Sequence, residues 1–102
     1  MKFANFAIAG LLALASAQAF AAEDAGRTIS GLGVQGTGYV QVTQGFSQPC
    51  QFGTVYLPDL SQYNARAMMA VLVAAQSRGA VVTISYDVNA SGICTANKIS
   101  AS

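Results

Sequence analysis

Histidine and tryptophan are both absent from this chain of 102 residues, and cysteine and proline occur only twice each. The missing histidine removes the commonest general base and the commonest metal ligand, so Ser-His-Asp triads, Cys-His dyads and histidine-zinc sites are excluded. Charge is scarce as well. Five Lys or Arg against four Asp or Glu leave a formal charge of +1, with no basic stripe to follow a nucleic-acid backbone. The length admits one domain. No metal, cofactor or nucleic-acid partner is expected.

What is present begins with an apolar front end. Met1 and Lys2 give a positive start, Phe6 to Ala15 (FAIAGLLALA) carries no charge, and small residues lead to the first acids, Glu23 and Asp24. This is the three-part layout of a secretory signal peptide. The apolar run falls short of the roughly 20 residues a membrane-spanning helix needs, so no membrane span is expected after processing. Small residues permit cleavage after Ala19 or after Ala21, whereas a cut after Ala22 would put Phe20 at a position that wants a small side chain. The boundary is set after Ala21, which makes 1–21 the signal peptide and 22–102 one secreted or periplasmic domain. No cysteine lies near the cut, which argues against a lipid anchor. Within 22–102, Arg27, Arg66, Arg78 and Lys98 cancel Glu23, Asp24, Asp59 and Asp87, so nothing steers the domain towards nucleic acid or anionic membrane.

Export makes the two cysteines readable. Cys50 and Cys94 are the only pair available, and an oxidising compartment favours their bridge. Closing that loop stabilises the fold by roughly 4 kcal/mol in the chain-entropy treatment. A reactive thiolate would want a nearby histidine or a helix N-terminus, and neither cysteine has one in its local sequence.

Hydrophobic patterning then predicts strands, one helix, and strands again. Arg27 to Gln35 (RTISGLGVQ) alternates weakly, Gly36-Thr37-Gly38 signals a turn, and Tyr39 to Gln44 (YVQVTQ) alternates cleanly. Gly45 to Gln51 reads as a loop and Gly53 to Leu57 as a third strand. Ala80 to Val88 is rich in β-branched residues, Asn89 to Gly92 turns the chain, and Ile93 to Ile99 closes a hairpin. Between strands three and four, Pro58-Asp59 opens a helix with Asp59 or Ser61 as N-cap and Gln62 completing a capping box, and Gly79 ends it after Arg78. The expected architecture is mainly β with one helix: a five-stranded OB-type barrel with the helix between strands three and four. A two-layer α+β sandwich shares the element count.

The helix centre, Ala67 to Ala75 (AMMAVLVAA), has no polar side chain on any face. A helix apolar all round is normally buried all round, and a small barrel covers one side only. Met68, Val71, Leu72 and Ala75 are therefore expected at a contact with another copy, against the plainer reading of an alanine-rich helix whose exposure costs little.

Few motifs carry chemistry. Gly31-Leu32-Gly33-Val34-Gln35-Gly36 matches the dinucleotide fingerprint, but it leads into a strand rather than a helix and has no acid at the required distance. These glycines read as bends and bulges of a curved strand. Asp59 and Asp87 are the only carboxylates within predicted elements, and each has a local structural task, so no acid–base pair is expected and the protein is read as not an enzyme. The Asn89-Ala90-Ser91 sequon is explained by its turn, and Met68 and Met69 by core filling. What remains is a polar surface with aromatics. Tyr39, Gln41 and Thr43 share one strand face, and the following loop adds Gln44, Phe46, Ser47, Gln48, Gln51 and Phe52. Amides flanked by rings can bind neutral polar ligands such as sugars. Tyr39, Gln41, Thr43, Phe46 and Gln48 are the candidate ligand-binding residues, against the plainer reading of a solvated sheet face.

The stretch from Ala65 to Ile99, with its alanine-rich helix, short glycine turn, Val/Thr/Ile strand ending in Tyr86-Asp87, and Gly92-Ile93-Cys94 in the last hairpin, resembles the B subunits of the subtilase-cytotoxin type. With Ile29 to Leu32 and Cys50 the resemblance spans most of residues 22–102. It implies an OB-fold B subunit, a ring-shaped homopentamer with helices around its pore, glycan binding on the outer face, and a Cys50–Cys94 bridge. The expected function is an exported, non-enzymatic glycan-binding subunit like the pentameric B subunit of an AB-type toxin, with cell-surface glycan and an exported enzymatic subunit as partners. The alternative is a periplasmic structural or protein-interaction domain of the same fold.

Overall fold

A computed structural model describes residues 20–102; all but the last two residues of the segment expected to be a signal peptide, 1–21, lie outside the described residues. Alternation is the main organiser. In Thr37–Val42 (β3), Gly38, Val40 and Val42 are buried while Thr37, Tyr39 and Gln41 face the other way. In Val82–Val88 (β5), Val82, Ile84, Tyr86 and Val88 are buried at alternate positions. With Phe20–Arg27 (β1), Ile29–Gln35 (β2), Val55–Tyr56 (β4) and Cys94–Ala101 (β6), these form one six-stranded sheet in the order β1-β5-β6-β4-β3-β2. All pairings are antiparallel except β4 with β6.

The mainly β fold with a single helix is as the sequence predicts, but the strand count and closure are not. There are six strands rather than five, and the sheet is open rather than a closed barrel. The extra strand is β1, whose inward positions are only Ala22 and the carboxylate of Asp24, so it carries no apolar alternation. The two edge strands, β1 and β2, are separated in the chain by Thr28 alone. Both are irregular beside that corner: the β1–β5 register shifts between Asp24 and Arg27, where Gly26 has φ +65°, and the β2–β3 register shifts between Ile29 and Gly31. Such bulges bend a strand and increase its twist. The corner is clamped by the two residues that follow β3, since Thr43 N–H donates to the Thr28 carbonyl at 2.9 Å and Thr28 N–H donates to Gln44 Oε1 at 2.9 Å.

The helix, Tyr63–Arg78 (α1), begins later than expected. Gln62 stands at its N-cap without a side-chain capping bond. Asp59 closes the preceding turn instead, accepting Ser61 N–H on Oδ1 at 2.8 Å and Gln62 N–H on its carbonyl at 2.9 Å. The far end is as expected: Gly79 at φ 69° takes the left-handed cap, with Arg78 in the last turn. Ala65, Met68, Leu72 and Ala75 form the buried stripe, and Met68, Leu72 and Ala75 pack with Val40, Val55, Leu57, Ile84 and Tyr86 into one core. Three of the four residues expected at a contact between copies are thus buried in the chain's own core, because helical spacing puts them on the sheet side. Val71 is half-buried, and Ala67, Ala70, Val73 and Ala74 are exposed. Cys50 and Cys94 are bridged across a Cα–Cα distance of 5.4 Å, fastening the loop after β3 to the first residue of β6.

Candidate functional site

The sheet face turned away from the core carries an open depression of about 330 Å³, lined by Gln35, Tyr39, Gln41, Phe52, Thr54 and Tyr56. Tyr39 and Gln41 reach it because they alternate with the buried Val40 and Val42. Tyr56 is the register partner of Tyr39 across β3 and β4, so both side chains start from the same sheet face, with the Tyr39 ring leaning over β2.

The glycines of β2 shape this surface. Gly31 is the register partner of Gln41 and Gly33 that of Tyr39. A Cβ on Gly31 would stand 2.8 Å from Gln41 Oε1, and one on Gly33 would stand 2.7 Å from the Tyr39 hydroxyl. The side chains of β3 therefore lie across a strand that offers no side chains of its own at those positions. Of the bends and bulges expected at these glycines, Gly31 borders the β2 register shift and Gly36, at φ +77°, makes the turn into β3.

A short relay fixes the rim. Gln41 Nε2 donates to Thr54 Oγ1 at 3.0 Å, and Thr54 Oγ1 donates to the Phe52 carbonyl at 3.0 Å. Phe52 is held at φ 61°, the only non-glycine residue with positive φ among those described, and its side chain is left 78% exposed. A left-handed non-glycine residue costs about 1–3 kcal/mol and persists where its surroundings over-determine it. Here the over-determination presents a bare aromatic ring to solvent at the mouth of a depression.

Of the five candidate binding residues, Tyr39 and Gln41 line this depression and the other three sit elsewhere. Thr43 lies beyond the end of β3 and pins the Thr28 corner through its amide. Phe46 packs edge-on against Tyr86, with ring centroids 5.5 Å apart. Gln48 donates its backbone N–H to the Tyr86 hydroxyl at 3.4 Å. Gln35, Thr54 and Tyr56 were not singled out from the sequence. The Thr54-Val55-Tyr56 alternation, set opposite Tyr39, is the signal that would have found two of them.

The described residues hold one further polar constellation, and it is structural. Asp24, only 4% exposed, accepts the Tyr86 hydroxyl at 2.7 Å and Ser47 N–H at 3.0 Å, and pairs with Arg27 at 3.4 Å. Burial pushes its pKa upward, but the bonds from Ser47 and Tyr86 and the Arg27 guanidinium outweigh that and hold the carboxyl below its ordinary range. Burial, together with the bond to Asp24, raises the Tyr86 phenol above its own. The cluster ties the Gly45–Cys50 loop to β1 and β5, and its carboxylate has no open side for a substrate. It also corrects the expectation that Asp59 and Asp87 are the only acids in regular structure. Asp59 lies in the turn before α1, where the backbone and side-chain bonds of Ser61 lower its pKa, and Asp87 accepts Asn97 Nδ2 at 3.1 Å. No group of three or more metal-binding side chains occurs among the described residues, and no described helix is long and apolar enough to cross a membrane.

No protein-family model matches the chain, and no curated protein matches it in sequence.

Proposed function

We propose that this protein is an exported, non-enzymatic glycan-binding subunit, and that the Tyr39–Tyr56–Phe52 depression is its binding site. The observation that carries the reading is the depression itself: two phenols, one phenyl ring, two amides and a threonine hydroxyl on the sheet and the turn before β4, with the exposed phenyl ring kept in a strained backbone conformation. Rings that meet the C–H faces of a pyranose, beside amides that meet its hydroxyls, are what sugar recognition requires. The bridged cysteines support an oxidising destination. Connectivity supports the OB-type reading: if β1 and β2 are taken as one strand bent at Thr28, the sheet order becomes that of a five-stranded barrel whose second and third strands carry the depression, the face such barrels use for oligosaccharides. A glycan array probed with the mature, disulfide-intact protein tests this. Binding that is lost in Tyr39→Ala, with the fold retained, is the expected result; a protein that ignores every glycan overturns it.

Self-association is the companion proposal. The outer face of α1 shows Ala67, Ala70, Val73 and Ala74, with Val73 half-exposed, and such a small-residue face suits close packing against a second copy. The number five, and an exported enzymatic partner, rest on the resemblance to toxin B subunits. Light scattering should find a closed ring at micromolar concentration. A monomer would favour the alternative, a periplasmic interaction domain.

A further inference from the structure

Resting on the export in the function proposed above, we propose that the leading segment is cleaved after Ala19, so that Phe20 is the first residue of the mature protein, two residues before the boundary expected from local sequence. Two overlapping small-x-small triplets compete as the processing site, Ala17-Gln18-Ala19 and Ala19-Phe20-Ala21. Local sequence satisfies both. The fold distinguishes them, because only the later cut removes residues that the sheet uses.

Phe20 and Ala21 are in register with β5: Phe20 stands opposite Val88, Ala21 opposite Asp87, and Ala22 follows opposite Tyr86. Register partners share a sheet face, and Val88 and Tyr86 both belong to the core. Phe20 and Ala22 therefore lie on the core side of β1. Ala22 packs against the core, and Phe20, at 46% exposure, has about half of its surface covered. A cut after Ala21 would take away the cross-strand neighbour of the buried Val88. It would also leave β5 without a partner strand at Asp87 and Val88, with a bare edge of N–H and C=O groups in place of a ladder. A cut after Ala19 keeps every β1 pairing described.

The new chain end points the same way. Cleavage creates an α-ammonium on the first mature residue, and that group is largely charged at neutral pH. After Ala19 the charge falls on Phe20, an exposed residue. After Ala21 it falls on Ala22, which is half-buried, packed against the core and opposite the fully buried Tyr86. A charge held there gives up part of its hydration. The carboxylate on the same side of β1, Asp24, is already committed to the Tyr86 hydroxyl, Ser47 N–H and Arg27. The later cut thus loses strand pairing and places a charge against the core, and the earlier cut does neither.

The test expresses the full chain from Met1 in its native host and reads the N-terminus of the exported protein by stepwise sequencing and intact mass. It should begin Phe-Ala-Ala-Glu-Asp. A start at Ala22 overturns the proposal while leaving export in place. A chain that still carries Met1 overturns export, and the proposal with it. Ala17→Asp spoils the first triplet alone and should abolish the Phe20 start. Ala21→Gln spoils the second triplet alone, at an exposed position of β1, and should leave the Phe20 start unchanged. The reverse pattern overturns the proposal. A second measurement compares disulfide-intact protein that starts at Phe20 with the same chain made to start at Ala22. The longer form should melt at least about 4 °C higher, the scale on which a domain of this size registers a small loss of stability. Equal melting temperatures would mean that the sheet does not use Phe20 and Ala21, and would also overturn the proposal.

Discussion

Replacing Asp24 by asparagine probes the constellation that locks β1 to the rest of the sheet. The carboxylate accepts Ser47 N–H and the Tyr86 hydroxyl on the same oxygen and faces Arg27 with the other. Asparagine keeps the volume and one acceptor oxygen but turns an N–H₂ group towards the guanidinium, so a charge-assisted pair becomes a donor facing a donor. Bonds to charged groups contribute about 1.5–3 kcal/mol, which sets the expected loss near 2–3 kcal/mol for Asp24→Asn. Asp24→Ala also strands the Tyr86 hydroxyl, Ser47 N–H and the arginine, and breaking a buried pair in that way costs about 3–5 kcal/mol. Small domains have about 5–15 kcal/mol in total, so both losses are large enough to read from urea midpoints at unchanged slope.

The pH dependence separates lost charge from lost packing. The folded pKa of Asp24 lies below its ordinary value, so its contribution is complete above about pH 4 and is lost as the pH falls through the folded value. Wild type and Asp24→Asn should therefore converge in acid and differ most at neutral pH. Tyr86 has the opposite sign: its folded pKa is raised, so its contribution is complete below about pH 10 and is lost as the pH rises through the folded value, and Tyr86→Phe should flatten that alkaline limb. An Asn variant within about 0.5 kcal/mol of wild type at neutral pH, the range of an ordinary surface substitution, would refute the role given to Asp24.

Three other outcomes are expected. Reducing the Cys50–Cys94 bridge, which spans 44 residues, should lower unfolding free energy by about 4 kcal/mol; denaturation with and without reductant measures it, and a loss under about 1 kcal/mol would contradict the staple. Gly33→Ala forces its Cβ against the Tyr39 ring and should weaken sugar binding with little loss of stability, whereas Gly38→Ala, whose Cβ would meet Leu57 Cδ1 and Met69 Cε at 2.8 Å, should cost about 1–3 kcal/mol by overpacking the core; thermal melts beside glycan titrations distinguish the two. Intact mass of protein from its native host should exclude the signal segment. A boundary after Ala19 keeps all of β1, one after Ala21 removes the residues that pair with Val88 and Asp87, and a mass that includes Met1 would refute processing.

The parts of the fold legible in the sequence are those with a regular period. β3 and β5 alternate over their whole length, and Gly79 and Arg78 mark the end of α1 as expected. The parts that were not legible break the period for identifiable reasons. In β2, Ile29 and Leu32 both pack against the core although they are three residues apart, which a regular strand forbids. The register shift between Ile29 and Gly31 restores the facing. In β1 the one fully buried side chain is Asp24, so a search for apolar alternation passes over it. In α1 the nine residues Ala67 to Ala75 are all apolar, and where every position qualifies for the core, composition cannot say which face is used.

The proposed binding surface divides along the same line. Tyr39 and Gln41 could be read from β3 because a clean alternation sorts its side chains into two faces, yet that sorting cannot separate a ligand-binding face from a merely solvated one. What favours the binding reading is the neighbouring strand. Gly31 and Gly33 stand opposite those two residues, and any side chain there would stand in their way. A solvated sheet face has no need of glycines in the interior of a strand, where each one weakens it relative to residues with side chains. In β2 that cost is paired with a second one at Phe52, whose strained backbone is held by a relay that starts at Gln41. Two local penalties converge on one depression. Neither contributes to the core, and their common effect is to keep an aromatic and amide surface bare and in fixed geometry, which is the property a sugar site needs and a structural face does not.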